Sequence, residues 1–427
     1  MAHLTIKSAY KNLADRINRF PQGAPQSELL FKILQTLFSE KEAGFVSLLP
    51  IKPFTVQKAA LLTKKSLAET QNMLEELSSR GILLDVEING RMEYSLPPPM
   101  AGFFEFSLMR IRNDVDQKVL SELFYQYLNV EEDFIKQLFT QGETQVGRAF
   151  VNEEALSENN KIEILDYEKA SEVIKTASHR GVGMCYCRHK MEHLGKACDA
   201  PMDICMTFND TASSLIKHNI AREVDVSEGM DLLQQAYEKN LVQFGENVRE
   251  KVSFICNCCG CCCEAMLAAK KFGMLHPVHT TNYIPEIKYD ACNGCGKCVE
   301  ACPVEAMALI SANDPIKKKK KKAKLDEELC LGCGVCVRVC PEKSLLLASR
   351  KQRVITPLNG AHRIVSMAIE RGKLQNLIYD NYALWNHRAM AAILGVILKL
   401  PPIKQVMASR QIKSRYLEHL LSNYNKN

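Results

Sequence analysis

A chain of 427 residues, 46% hydrophobic and 24% charged, has room for two to four domains with cores of their own, which excludes a disordered chain and a disulfide-stapled miniprotein. The formal net charge of +6 is unevenly spread, because residues 351–427 carry +9 and the remainder is slightly acidic. All eighteen cysteines lie between Cys185 and Cys340 and no export signal opens the sequence, so a reducing, cytoplasmic setting is expected, in which metal or redox centres explain the thiols better than disulfides.

In chain order, the first elements are helical. Periodicity predicts an amphipathic helix over Ser27–Phe38, a second over Thr55–Leu62, and a third over Ser66–Arg80 with Leu67, Leu74 and Leu77 on one stripe. Gly81 stops the third, and ILLDVEINGRMEYSL reads as two strands around the Asn89-Gly90 turn. This order over residues 1–100 resembles a winged-helix domain, and the resemblance implies a third helix able to enter a DNA groove. Here that helix carries Glu69, Glu75 and Glu76 against Arg80, with Lys64 and Lys65 only at its entrance. Such a helix suits a polyanion poorly, so protein contact or structural support is expected ahead of DNA binding.

Residues 101–160 read as a polar helical connector, and residues 161–282 as a cysteine-rich domain of mixed structure. The stretch GVGMCYCRHKMEHLGKACDAPMDICMTF supplies Cys185, Cys187, Cys198 and Cys205, with Gly183, Gly195 and Pro201 shaping the turns. The stretch CNCCGCCC supplies Cys256, Cys258, Cys259, Cys261, Cys262 and Cys263. On an extended strand, Cys256, Cys258 and Cys262 would share one face and Cys259, Cys261 and Cys263 the other, unless Gly260 bends the chain. Six thiols exceed the four positions of a cubane, and ten could fill two four-thiolate sites with two left over. A subset of the ten is therefore expected to bind a further centre, iron-sulfur ahead of zinc, with copper(I) equally suited to soft ligands and buried hydrophobic cysteine as the plain alternative. His189, His193, His276 and His279 lie nearby and are capable of ligation, although a turn histidine more often hydrogen-bonds.

The strongest pattern lies in residues 283–349. Cys292, Cys295, Cys298 and Cys302, followed by Pro303, form C-x2-C-x2-C-x3-C-P, and thirty-eight residues later Cys330, Cys333, Cys336, Cys340 and Pro341 repeat it. Three cysteines at this spacing let one loop wrap three irons of a cube, with Gly294, Gly296, Gly332 and Gly334 relieving the tight turns. The fourth thiolate cannot reach the same cube and crosses to the other. Cys292, Cys295, Cys298 and Cys340 are thus expected to hold one [4Fe-4S] cluster, and Cys330, Cys333, Cys336 and Cys302 the second. Over its whole length the segment resembles the bacterial two-cluster ferredoxins, and the resemblance implies two [4Fe-4S] clusters close enough to pass single electrons. Paired C-x-x-C zinc sites are the competing reading, but structural zinc motifs are not normally followed by x3-C-P in a symmetric repeat. Taken with the C-x-C-R and CNCC-x-CCC segments, residues 161–349 resemble ferredoxin-type proteins of anaerobic bacteria and archaea.

Between the two motifs, six consecutive lysines, Lys317 to Lys322, read as a solvated loop or as a docking surface for an acidic partner. The tail, residues 350–427, is basic and helical. Its apolar stretch MAAILGVILKLPPI, too short to span a bilayer, suits a helix packed in its own fold, a contact with a partner subunit, or a peripheral anchor on the inner face of a membrane.

The expected fold is α+β and multidomain. The expected function is iron-sulfur electron transfer between redox partner proteins, as a carrier or as a subunit of an oxidoreductase. No nucleophile-base pair, phosphate loop or flavin fingerprint stands out, so no catalytic residue is assigned. The alternatives are a redox-sensing regulator whose first domain binds DNA, and a redox enzyme with its active centre at the upstream cysteines.

Overall fold

The computed structural model describes residues 2–157, 164–272, 280–313, 320–351, 354, 356–380 and 385–399. It opens with helices α1 (Ala2–Arg19), α2 (Glu28–Leu37), α3 (Glu40–Ser47), α4 (Val56–Thr63) and α5 (Leu67–Ser79). Each start from α2 onward is fixed by a cap: the hydroxyls of Ser27, Ser39, Thr55 and Ser66 accept from backbone N–H groups three residues on. Ser39 with Glu42 and Ser66 with Glu69 form complete capping boxes. Helices α1 and α3 were not among the sequence expectations. The stripe expected on α5 also needs correction: Thr70, Leu74 and Leu77 are buried, whereas Leu67 is 55% exposed, because in the first turn only Thr70 faces inward.

Strands β1 (Leu84–Ile88) and β2 (Arg91–Ser95) pair around Asn89 and Gly90, whose φ values of 51° and 74° are those of a tight primed turn. The hairpin does not project freely. Buried Asp85 on β1 accepts hydrogen bonds from Ser214 Oγ (2.7 Å), Lys217 Nζ (2.5 Å) and His218 Nε2 (2.9 Å), at the end of helix Asn209–Lys217 in the cysteine-rich region.

The centre of the chain is one antiparallel sheet of six strands: β3 (Gly147–Ala149), β4 (Arg180–Met184), β5 (Asp203–Phe208), β6 (Arg222–Glu223), β7 (Val242–Glu246) and β8 (Phe254–Cys258), in the order β3-β7-β8-β5-β4-β6. β3 comes from the stretch expected to be a helical connector; Gly147 is suited to it because a Cβ there would lie 2.1 Å from the Phe244 ring of the neighbouring strand. Side chains alternate across the sheet. Met206, Phe208 and Ile255 enter a core with Ile174 and Leu233, while Cys205, Cys256 and Cys258 face the core shared with Phe104, Phe124 and Tyr186. The pleat thus sends three thiols to one side.

The last region pairs β9 (Tyr283–Ile287) with β12 (Leu345–Ser349), and β10 (Met307–Ser311) with β11 (Lys321–Leu325). Lys321 and Lys322 therefore belong to a strand opposite Ser311 and Ile310, not to a loop, and Lys317 to Lys319 lie outside the described residues. This region packs on the sheet domain: Asn152 N–H donates to Cys333 O (2.8 Å), and Arg338 bonds Tyr237 O (2.5 Å) and Glu154 (2.9 Å). In the tail, helix Trp385–Lys399 packs on its own fold through buried Ala391 and at Gly395 against Gln375, while Met390, Ile393, Val396 and Ile397 are each more than 40% exposed; residues 400–427 lie outside the described set. Among the described residues no helix is long and apolar enough to cross a membrane.

The Asp85 cluster gives a test of how the hairpin is held. Burial alone would raise this carboxyl, but the hydrogen bonds from His218, Lys217 and Ser214 hold it at about 2, below its ordinary 3.8. A depressed carboxyl stabilises fully above its unfolded value and loses that contribution as pH falls through the folded one, here from about pH 4 toward pH 2. Asp85→Asn is expected to cost about 2 kcal/mol at neutral pH, and the difference from the parent protein should shrink across that acid window. Equal thermal stability at pH 7 would contradict the docking.

Candidate metal centres

The ferredoxin-like segment repeats one local device twice. Gly296 and Gly334, both at φ +87°, open the short helices Lys297–Glu300 and Val335–Arg338, which carry Cys298 and Cys336. Gly294 (φ +72°) and Gly332 (φ +69°) admit no side chain: a Cβ would stand 2.2 Å from Lys321 O in one and 2.0 Å from Tyr283 O in the other. Around the first loop, burial raises the Cys298 thiol, with Cys292, Cys295 and Cys340 close enough to add to the effect. Around the second, Cys330, Cys333 and Cys336 line one cavity together with Cys302 and Pro303. Burial pushes Cys330 up to about 11 and Cys333 to about 12, with neighbouring Cys302 contributing to both. The fourth cysteine of each motif therefore sits with the first three of the other.

The upstream cysteines divide differently from the extended-strand expectation. β8 ends at Cys258, the chain turns through Cys259 to Cys262, and helix Glu264–Phe272 begins immediately after Cys263. The turn exchanges Cys262 and Cys263 between groups. Cys259, Cys261 and Cys262 join Cys198, with all four sulfurs within 4.8 Å of one another; Cys261 and Cys262 are 3.7 Å apart and Cys262 and Cys198 3.8 Å. Cys256, Cys258 and Cys263 join Cys185, Cys187 and Cys205 around a cavity beneath the sheet that Cys259, Glu105 and Glu264 also line. Cys198 is thereby separated from the three cysteines with which the sequence grouped it.

The compact four have the dimensions of a single-ion site. Four thiolates at ~2.3 Å from one tetrahedral ion stand ~3.8 Å apart, whereas a cubane, with its own irons and sulfides interposed, spreads its thiolates to roughly 6 Å. No ferredoxin cysteine belongs to so tight a group among the described residues. The hydrogen bond from Cys262 lowers the Cys259 thiol against the effect of burial, assisted by Arg188. Zinc or a single iron fits here, and a cubane does not.

Arg188, which the sequence reading passed over despite the C-x-C-R pattern, stands between the two groups. It is 1% exposed and donates to the carbonyls of Pro201 (2.6 Å) and Asn257 (2.6 Å). Burial would lower its pKa, but Cys185, Cys259, Cys258 and Cys198 together raise it. Asn257, the single polar side chain inside CNCCGCCC, braces the turn through Ile204 O (2.8 Å) and Gln243 (3.0 Å). Of the histidines, His189 is buried with Nδ1 2.8 Å from Leu108 O and its ring against His193, and neither joins a compact thiol group among the described residues. His276 and His279 lie outside the described residues. The tip of the loop meets the ferredoxin-like segment: a Cβ on Gly260 would lie 2.6 Å from Pro303 O, one residue beyond Cys302.

Comparison with protein families matches residues 291–344, which contain all eight cysteines of the double motif, to the 4Fe-4S dicluster domain. No curated protein and no solved structure matches the chain. The chain thus contains an iron-sulfur, ferredoxin-type domain beside a cysteine group able to bind a metal.

Replacing the zinc-type ion tests the compact site. After exchange with cobalt(II), the protein is expected to show the sulfur-to-metal charge transfer and visible bands of a tetrahedral four-thiolate ion, and Cys262→Ala should lose them while keeping its ferredoxin-type iron. Unchanged bands in that variant would exclude Cys262 as a ligand.

Proposed function

We propose that this protein is an electron carrier, or an electron-transfer subunit of an oxidoreductase, in which two [4Fe-4S] clusters pass single electrons between partner proteins. What supports the reading is the double motif, with Cys302 lining one cavity beside Cys330, Cys333 and Cys336, and Cys340 near enough to Cys298 to raise it together with Cys292 and Cys295. Those two sets would hold the clusters, which when bound supply reversible one-electron storage spread over several irons.

What the chain contributes is tuning and access. N–H groups of Ala306 and Gly332 approach the sulfurs of Cys302 (3.2 Å) and Cys330 (3.3 Å), and Ser344 Oγ lies 3.3 Å from Cys340. Such bonds stabilise the more negative, reduced state and raise its potential. Each set has two buried cysteines, Cys292 and Cys298 in the first and Cys330 and Cys336 in the second, and of the eight Cys295 is the exposed one. Lys321 lies against the Gly294 turn of the first set, so the basic strand flanks the exposed side where an acidic partner would be steered. The compact thiols Cys198, Cys259, Cys261 and Cys262 would hold a structural ion that fixes the loop resting on Pro303. Two features speak against the DNA-binding alternative: α5 is acidic on its exposed face, and the hairpin is pinned by Asp85. The basic tail, with its exposed apolar helix, is the surface for a partner subunit or for peripheral membrane contact.

Anaerobically isolated protein is expected to carry about eight irons in the ferredoxin-type domain, to bleach with dithionite, and to show magnetically coupled reduced clusters. Cys302→Ala should remove the signal of the cluster held by Cys330, Cys333 and Cys336 and abolish the coupling. A colourless, zinc-filled domain would sink the proposal, and loss of the other cluster alone would refute the crossing.

A further inference from the structure

Two of the upstream thiols face more than the cavity beneath the sheet. Cys205 on β5 and Cys256 on β8 also line a second cavity, of about 340 Å³, and among the described residues no other upstream cysteine does. A space of that size falls within the range of small-molecule sites. It lies between the sheet, residues 95–109 and helix Gly360–Glu370 of the tail. Strand pairing sets the two sulfurs face to face. Met206 pairs with Ile255 and Thr207 with Phe254, so the same antiparallel register places Cys205 opposite Cys256. Residues directly opposite on antiparallel strands have Cα atoms roughly 4.5–5.5 Å apart, inside the ~4.4–6.8 Å span that a disulfide bridges. The sulfurs stand 3.8 Å apart, so a bond between them needs side-chain rotation rather than backbone movement.

The pair is not a single-ion site: among the described residues neither thiol belongs to a group of three or more donors within 4.8 Å. Cys258 and Cys263 are closer to each other, at 3.1 Å, but they line the inner cavity and not the larger one, and each adjoins a thiol of the compact four. The larger cavity also supplies what thiol exchange needs. Sulfur contacts and burial leave both Cys205 and Cys256 raised, with the Glu105 charge contributing to each, so the pair rests as a protonated dithiol. Glu105 lines the same cavity, and burial raises its carboxyl to about 7, which suits it to take up a thiol proton near neutral pH. Lys251, Arg363, Asp210 and Glu246 put both signs of charge on the wall, beside apolar Phe254 and Ile364. Such a lining fits a compact zwitterion.

We infer that Cys205 and Cys256 are a redox-active dithiol that exchanges with a low-molecular-weight disulfide of the amino-acid type, such as cystine, entering through this cavity. One thiol attacks the substrate's S–S bond, forms a mixed disulfide and releases the first product thiol; its proton passes by way of Glu105 to the leaving sulfur. The second thiol then displaces the other half of the substrate and closes the Cys205–Cys256 bond. The substrate gains two electrons, the dithiol loses two, and both protons end on the product thiols. This chemistry is independent of the electron-transfer role proposed for the ferredoxin-type domain.

The test treats full-length protein, isolated anaerobically with its metal, with cystine, then alkylates the remaining thiols and maps the peptides by mass spectrometry. The expected result is a Cys205–Cys256 cross-link and two cysteine molecules released per chain, with the ferredoxin-type iron retained as evidence of intact folding. Cys205→Ser should instead stop at a half-cystine adduct on Cys256; if that variant loses its iron, Cys256→Ser, with the adduct on Cys205, takes its place. Ile364→Trp, which fills the cavity, should lose the reaction over the same interval. Cys205 and Cys256 that stay reduced in the native protein, or that react only after a chelator has stripped the metal, overturn the inference. So does a cross-link confined to Cys258 and Cys263, or one that forms unchanged in Ile364→Trp, since the cavity would then not be the route.

Discussion

Thiols crowded at 3–4 Å cannot all ionise without a cation to take up the charge. Every feature around CNCCGCCC follows from that constraint. The thiols divide: Cys205, Cys256 and Cys258 are raised, whereas hydrogen bonds from Cys187 and Cys258 lower Cys263 and the bond from Cys262 lowers Cys259. Metal binding reverses the balance by exchanging protons for a cation, so site formation and metal loading are linked equilibria. Arg188 supplies a fixed positive charge between the two groups, and the paired Lys190 and Glu264 nearby are neutral as a unit. Beside it, burial raises the Glu105 carboxyl, which lines the same cavity, to about 7.

The same loop joins the two cysteine-rich regions. Gly260 is required where the turn meets Pro303, because no side chain fits in the gap, and Pro303 follows the cysteine that belongs with the second ferredoxin set. Lys270 and Glu305 add an ion pair across the same boundary (3.3 Å). With Arg338 and Asn152 anchoring the other side, the ferredoxin-type domain is packed against the upstream thiols rather than tethered to them. Short distances between centres are what single-electron transfer requires.

How much the sequence could tell follows from the range of the interactions involved. The three N-terminal helices and the hairpin were legible because Ser27, Thr55, Ser66 and the Asn89-Gly90 turn act within four residues. The double motif was legible for the same reason, and the 4Fe-4S dicluster match covers that part alone. What was hidden depends on pairing across the chain. The division of the ten upstream thiols is set by Cys258 ending a strand and Cys263 starting a helix, a change of period that six cysteines in eight residues cannot signal. Lys321 and Lys322 reached a strand only because β10 lay opposite them. Arg188 carried no local sign of burial, although its place after Cys185 and Cys187 was a hint.

The account stands or falls on whether the compact upstream thiols hold a single ion beside two clusters in the ferredoxin-type domain. Anomalous difference maps from anaerobically grown crystals, collected at the iron and zinc edges, address this directly. The account predicts one compact peak of a single ion among Cys198, Cys259, Cys261 and Cys262, and two cubane-sized iron peaks in the ferredoxin-type domain. A cubane-sized upstream peak at those four thiols, or no metal there at all, would contradict it.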